Sequence, residues 1–336
     1  AAPFVRIPGV LSGSGVGAAA FTRRSGFLSS LSPWALPVAV GARTTATSTT
    51  SREAREGEDA APATTTQTEA RGDDGATGTS EVDNDFGFAK VGRKEHKELV
   101  KDVFMKVAPN YDVMNDFMSF FMHRLWKDRF TSTLSPFAGQ QHLDVAGGTG
   151  DVAFRVLKEI RKAEEEEAEE GWSGEEGKVC VADINPAMLE EGRKRAGGTR
   201  GISFVETDAE SLPFQDSSFD SYSISFGIRN VSDIDKCLQE AHRVLRRGGH
   251  FCCLEFSQVN SEVLRQIYDL YSMNVIPYIG AAYAGDAASY QYLVESIRKF
   301  PNQADFAGII ERNGFKHVRY ESLFDGVVAI HSGFKL

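Results

Sequence analysis

The sequence predicts an α/β domain in which a mostly parallel sheet is covered by helices on both faces. Three observations carry that expectation. From about residue 86 onward, short apolar runs alternate with amphipathic stretches. One apolar run passes through a glycine-rich turn straight into a helical pattern, His142-Leu-Asp-Val-Ala-Gly-Gly-Thr-Gly-Asp151. The next apolar runs end in polar loops, the position where open α/β sheets hold their ligands.

The elements follow from periodicity. Residues 94–107 carry apolar side chains at helical spacing, and residues 112–121 and 125–133 continue as helices with a Met- and Phe-rich surface. Strands are expected at 142–146, 178–183, 202–206, 219–226 and 249–256. Helices are expected between them at 151–163, 187–196 and 234–245, then at 261–279, 289–299 and 302–313. Residues 315–322 and 326–334 read as two final strands, close enough in sequence to pair antiparallel.

The domain organisation is uneven. Residues 1–85 form a leader and linker, and 86–336 form the folded domain. No Asp or Glu precedes Glu53, while Arg6, Arg23, Arg24, Arg43 and Arg52 are spread among Ser, Thr, Ala and Gly. That basic, hydroxyl-rich and acid-poor composition is that of an organelle transit peptide. Residues 51–85 then turn acidic and polar without apolar periodicity, as a disordered linker does. Residues 162–177 hold a run of glutamates, read as a solvated surface insertion without chemistry.

Bulk properties remove some functions. A net charge of −10 gives no general attraction to phosphate backbones, so nucleic acid is not expected as a partner. The four cysteines form no CxxC pair, so neither a metal site nor a disulfide framework is expected. No run reaches the roughly 20 apolar residues that cross a bilayer; residues 263–284 are interrupted by Arg265, Asp269, Asn274 and Pro277.

Four loops are candidates for chemistry. In the turn after the first large strand, Gly148 and Gly150 occupy the glycine positions of D-x-x-x-G-x-G, counted from Asp144, with Thr149 between them. The spacing is neither that of a dinucleotide turn nor that of a P-loop, and it suits a cofactor without a pyrophosphate. Asp183 ends the second strand, where a carboxylate accepts both hydroxyls of a ribose; the alternative is a cap on the helix beginning at Pro186. Asp208 and Ala209 follow the third strand, where a carboxylate and an amide can meet an adenine edge; a plain turn is the alternative. Ser225, Arg229 and Asn230 lie in Ser225-Phe-Gly-Ile-Arg-Asn230 at the end of the fourth strand, with Arg229 expected at the mouth of the site.

Longer stretches carry a resemblance. Val107-Ala-Pro-Asn-Tyr-Asp-Val-Met-Asn-Asp116, Leu125-Trp-Lys127, Asp144–Asp151, Ala182-Asp-Ile-Asn185, Ser225–Asn230, Tyr290–Ile297 and Ala307–Phe315 are similar to the UbiE-type ubiquinone/menaquinone biosynthesis C-methyltransferases. The likeness runs from about residue 86 to residue 336. It implies a class I S-adenosylmethionine-dependent methyltransferase (Rossmann-like) fold: a seven-stranded, mostly parallel sheet with one antiparallel strand and extra N-terminal helices. It implies S-adenosyl-L-methionine as methyl donor and no metal. Motif by motif, it puts the donor on Thr149, Asp183, Asp208, Ala209 and Ser225, flanked by Gly148 and Gly150.

It further implies a polyprenyl benzoquinol lipid as substrate, a homodimer, and a place with other ubiquinone-biosynthesis enzymes in a membrane-associated complex. With the leader, the expected location is the mitochondrion, peripheral on the matrix side of the inner membrane. Ring methylation needs a phenolate, and Arg229, with Asn230 and Tyr111, is expected around the quinol oxygen. An Arg retains its proton, so it is read as stabilising the phenolate or orienting a water. His123 is the nearest histidine and is read as a core or surface residue. Three other readings stay open: a plastid demethylmenaquinone or phylloquinone methylase, an O- or N-methyltransferase on the same fold, and a non-catalytic scaffold.

Overall fold

The computed structural model describes residues 83–86, 89–107, 115–116, 119–171, 173–274 and 287–336. The leader, the Tyr111 segment and residues 275–286 lie outside the described residues.

A small antiparallel hairpin, β1 (Asp83–Phe86) and β2 (Ala89–Gly92), comes first, a pairing the sequence reading missed. Helices α1 (Arg93–Val107) and α2 (Met122–Leu134) follow. The main domain then alternates β3 (Gln141–Val145), α3 (Asp151–Glu169), β4 (Lys178–Asp183), α4 (Pro186–Ala196) and β5 (Ile202–Glu206). Its second half runs β6 (Phe219–Ser225), α5 (Ile234–Val244), β7 (Leu245–Phe256), α6 (Glu262–Asn274), α7 (Ala287–Lys299) and α8 (Gln303–Arg312). Strands β8 (Lys316–Leu323) and β9 (Val328–Phe334) close the chain.

The seven large strands form one sheet in the order β5-β4-β3-β6-β7-β9-β8. Neighbours from β5 through β7 are parallel; β9 runs antiparallel to both β7 and β8. The order reverses between β3 and β6, which opens a crevice beyond the carboxyl ends of those strands. This is the class I methyltransferase architecture expected from the sequence, with its single antiparallel strand.

Each face of the sheet has its own core. Leu143, Val145, Tyr222, Ile224 and Phe251 pack with α5 and α8 residues on one side. Val179, Val181, Cys252 and Leu254 pack with Trp126 and Phe130 of α2 and with Val156 and Ile160 of α3 on the other. All four cysteines are buried and free.

Two local features differ from expectation. Helix α3 continues to Glu169, so the acidic run begins as helix and not as an irregular insertion. Within it Glu164 turns inward and is 8% exposed. It accepts from the amides of Gly139 and Gly177 and from Arg161, so this one carboxylate ties the helix to the entry of β3 and β4. The cap of α4 is Asn185, whose side chain accepts from the amides of Ala187 and Met188 ahead of Pro186 at N1. Asp183 is therefore released from capping.

Candidate active site

The loops after β3, β4, β5 and β6 converge on one cavity at the switch point. Gly148, Thr149, Asp183, Asp208, Ala209, Ser225 and Asn230 all line it. Gly150 stands behind the turn, packed against Phe154 and Phe204.

The turn is shaped by backbone conformation that few residues tolerate. Gly148 has φ of 55° and Gly150 has φ of 83°, both left-handed. Gly147 is required for space: a Cβ there would stand 2.8 Å from Asp144 Oδ2 and from Val181 Cγ1. Two non-glycine lining residues, Ala146 (φ 50°) and Phe226 (φ 54°), are also left-handed. Such conformations cost on the order of 1 kcal/mol or more each and gather at functional sites.

Asp183 ties the loops after β3 and β4 together. Its Oδ2 accepts from the Gly148 amide at 2.9 Å and its Oδ1 from the Asn185 amide at 2.8 Å. Burial raises its pKa, against the lowering effect of those amides. Asp208 uses Oδ1 to accept from the Glu210 amide, and its Oδ2 meets Lys97 of α1 at 2.5 Å. Lys97 also reaches Glu210, and Arg93 reaches Glu210 and Asp233, so α1 is pinned across this end of the cavity by charge. No motif or periodicity in residues 93–107 points to this contact.

A directional chain of hydrogen bonds lies under the turn. His142 and Asp144 of β3 stand beside Ser221 and Ser223 of β6. Gln140 Nε2 donates to Ser221 Oγ at 2.9 Å, and Ser221 Oγ lies 2.6 Å from His142 Nδ1. His142 Nε2 lies 2.9 Å from Ser223 Oγ, which donates to Asp144 Oδ1 at 2.6 Å. Burial drives the His142 pKa down to about 3, so the ring is neutral. With Ser223 donating to Asp144, the ring proton belongs on Nε2, and Nδ1 accepts from Ser221. Burial pushes the Asp144 pKa up to about 7, against lowering by Ser223, the Ala153 amide and the charge of Lys127.

Three polar atoms of cavity-lining residues have no hydrogen-bond partner among the described residues: Asp144 Oδ2, Asn185 Nδ2 and Ser225 Oγ. Buried polar groups are mostly satisfied in native folds, so unpartnered ones lining a cavity are available to a ligand's polar groups. The carboxylates, hydroxyls and amides gathered here fit a nucleoside carrying a charged amino-acid tail.

The structure buries Arg229. Expected at the mouth, its side chain is 5% exposed and pairs with Glu255 at 2.8 Å, itself 1% exposed. The guanidinium also donates to the Phe226 carbonyl at 2.7 Å and lies over the Phe256 ring. Asn230 does line the cavity, and its Oδ1 accepts from Tyr292 at 2.9 Å. His123 is a core residue: its Nε2 meets Asp116 at 2.8 Å and burial lowers its pKa.

Comparison with known proteins now bears on this geometry. Residues 90–335 match the profile of the ubiE/COQ5 methyltransferase family. The chain belongs to that family. It is therefore an S-adenosylmethionine-dependent methyltransferase. A rice relative, "2-methoxy-6-polyprenyl-1,4-benzoquinol methylase, mitochondrial", is 54% identical over 75% of this chain and 88% of its own. A rat relative of the same name is 52% identical over 75% and 84%. A Brucella anthropi relative, "Ubiquinone/menaquinone biosynthesis C-methyltransferase UbiE", is 52% identical over 76% and 94%.

Proposed function

We propose that this methyltransferase moves a methyl group from S-adenosylmethionine to a ring carbon of 2-methoxy-6-polyprenyl-1,4-benzoquinol, a step of ubiquinone synthesis. The observation that carries the reading is the meeting of the four strand-end loops on one cavity, in a chain whose relatives at about half identity bear that substrate in their names. Thr149, Asp183, Asp208, Ala209 and Ser225 hold the donor. Asp183 suits the ribose hydroxyls, and the Asp208–Ala209 loop suits the adenine edge.

When bound, the donor supplies an electrophilic methyl group. The residues must align the nucleophilic carbon with it and keep water away; alignment alone can contribute several kcal/mol. The ring carbon becomes nucleophilic once a ring hydroxyl has lost its proton, and the carbon's own proton leaves after the new bond forms. Asn230, fixed by Tyr292, is placed to hydrogen-bond the quinol oxygen from the cavity wall. Arg229 acts through the turn: its bond to the Phe226 carbonyl and its pair with Glu255 fix the loop that carries Asn230. Tyr111 lies outside the described residues and keeps its role as a proposal from the family motif.

The basic leader and the mitochondrial names of the rice and rat relatives support residues 1–85 as an import segment with its linker. The reading includes a peripheral position on the matrix face of the inner membrane, a homodimer, and association with other enzymes of the same synthesis. Among the described residues no helix is long and apolar enough to cross a membrane. The name of the Brucella relative favours one second reading, in which demethylmenaquinone is also accepted.

The test is turnover by the full chain with S-adenosylmethionine and two short-tailed quinols, one of each ring type. The reading expects the new methyl on a ring carbon of the methoxybenzoquinol, located by NMR. Methyl on oxygen, or turnover of the naphthoquinol alone, overturns it.

A further inference from the structure

Helices α1 and α2 both border the cavity, yet different forces hold them to the domain. Helix α2 is seated by apolar packing: Trp126, Phe130 and Leu134 belong to the core on one face of the sheet. Neither core contains a described residue of the β1–β2 hairpin or of α1. Charge holds α1 instead. Glu210, 3% exposed, takes both of its cations on Oε2, Arg93 at 2.7 Å and Lys97 at 2.9 Å. Each cation has a second, more exposed partner: Asp233 for Arg93 at 3.1 Å, and Asp208 for Lys97 at 2.5 Å.

These contacts lie at the rim of the cavity. Lys97, Val100 and Lys101 of α1 line it together with Asp208, Glu210 and Ser232. Hairpin and helix both rest on Ser232: its carbonyl accepts from Asn84 Nδ2 at 2.6 Å, and its Oγ lies 3.0 Å from His96 Nδ1. Arg93 stands outside the lining, so it reaches the cavity only through its acidic partners. Ion pairs between partly exposed groups are individually weak and are screened by salt. Segments with few buried apolar contacts open locally at the least cost. Helix α1 can therefore leave the rim without opening a core, which α2 cannot.

Resting on the reading of the cavity as the donor site, we propose that the hairpin and α1 form a charge-latched gate, held shut by Arg93 and Lys97 on Glu210, whose release admits the methyl donor and lets the spent donor, S-adenosylhomocysteine, leave. Glu210 is the keeper of the latch, because a carboxylate taken out of water depends on the cations beside it. Motions of such gates commonly set the rate of ligand exchange. The competing account is a fixed wall, in which α1 only shapes the cavity and ligands pass elsewhere.

The test is stopped-flow measurement of S-adenosylhomocysteine association and dissociation on the full chain. This ligand has no net charge, so salt acts on the latch and not on the encounter. Arg93→Met should speed both rates roughly 3- to 10-fold, the worth of a lost ion-pair contact or two, and leave Kd within about 2-fold. Arg93→Lys, which keeps the charge, should lie between Arg93→Met and the wild type. Raising the ionic strength from about 0.05 to about 0.5 M should speed both rates of the wild type, and do so less in Arg93→Met. The salt series on the wild type needs no variant, so it decides the matter if Arg93→Met proves unfolded by its melting curve. Rates unchanged by salt and by Arg93→Met, or a change confined to dissociation with affinity falling in step, make α1 a fixed wall and overturn the proposal. A wild type that binds no S-adenosylhomocysteine at all would remove the donor-site reading and the gate with it.

Discussion

The strand-end loops and the surface around the start of α2 treat water in opposite ways. In the loops, polar groups are taken out of water: Asp144 and His142 are fully buried, and Ser225 Oγ and Asp144 Oδ2 lack partners. At the start of α2 and along α6, apolar groups are left in water. Phe120 is 71% exposed, Phe121 59% and Leu270 68%, with Val263, Leu264 and Leu125 exposed around them. The Phe120 and Tyr271 rings, 5.9 Å apart, join the two helices into one apolar surface. Each region carries a local cost. The difference teaches that the first keeps polar groups away from water at a cavity, and that the second leaves apolar side chains exposed together, as interaction surfaces do.

Substitutions can break this contrast, and the largest effect belongs to the turn. Gly147→Ala drives a methyl into Asp144 and Val181. Overpacking of this kind costs about 1–3 kcal/mol where it can relax, and here the turn itself must move. Donor affinity measured by calorimetry should fall beyond detection while circular dichroism stays near wild type.

A second effect, on folding stability and not on donor affinity, belongs to the buried pair of Arg229 and Glu255. Arg229→Ala leaves the Glu255 carboxylate buried and unpaired, a loss of about 3–5 kcal/mol of folding stability. Glu255→Gln, which leaves the buried guanidinium without its counter-charge, should cost a similar amount in a urea titration. Costs that simply add in the double variant would show that the pair does not act as one unit.

The Asp144 carboxyl gives a smaller, pH-dependent effect. Its pKa in the folded protein is about 7, above its ordinary value of 3.8. It therefore favours the ligand-free fold most at acid pH, and that contribution fades as pH climbs from about 4 to about 7. A cationic donor favours the ionised carboxylate, so binding should strengthen up to tenfold per pH unit below about 7 and level off above it. Asp144→Asn should flatten both curves.

The smallest effect on stability, within about 0.5 kcal/mol, is expected from Phe120→Ser combined with Leu270→Ser. The sharp readout is elsewhere: co-sedimentation with anionic lipid vesicles should drop several-fold while donor affinity stays put. Loss of donor affinity instead would join the two regions that the comparison separates.

The same contrast explains what could be read from sequence. The loops were legible because their requirements fall on few residue types at fixed spacing: Gly where φ is positive or a neighbour is too close, Asp where a loop's backbone amides need an acceptor. The parallel strands β3, β4, β6 and β7 were legible because buried parallel strands read as apolar runs. Three contacts were not. Glu164 looked like one glutamate among many, because only the fold shows which one faces the amides of Gly139 and Gly177. Arg229 looked like a group at the mouth, because its partner Glu255 is 26 positions away on β7. The α1 latch was hidden because Lys97 meets Asp208 and Glu210 across more than a hundred residues. Local periodicity carries no information about such pairs.

The central claim is that the cavity between β3 and β6 holds S-adenosylmethionine by its protein groups alone. Calorimetric titration of the donor into the purified full chain, at pH 6.5 in two buffers of different ionisation enthalpy, tests it most directly. The account expects one site per chain, with proton release reported by the buffer difference and lost in Asp144→Asn. Absence of binding heat in both buffers, with protein shown to be free of carried-over donor, would contradict it.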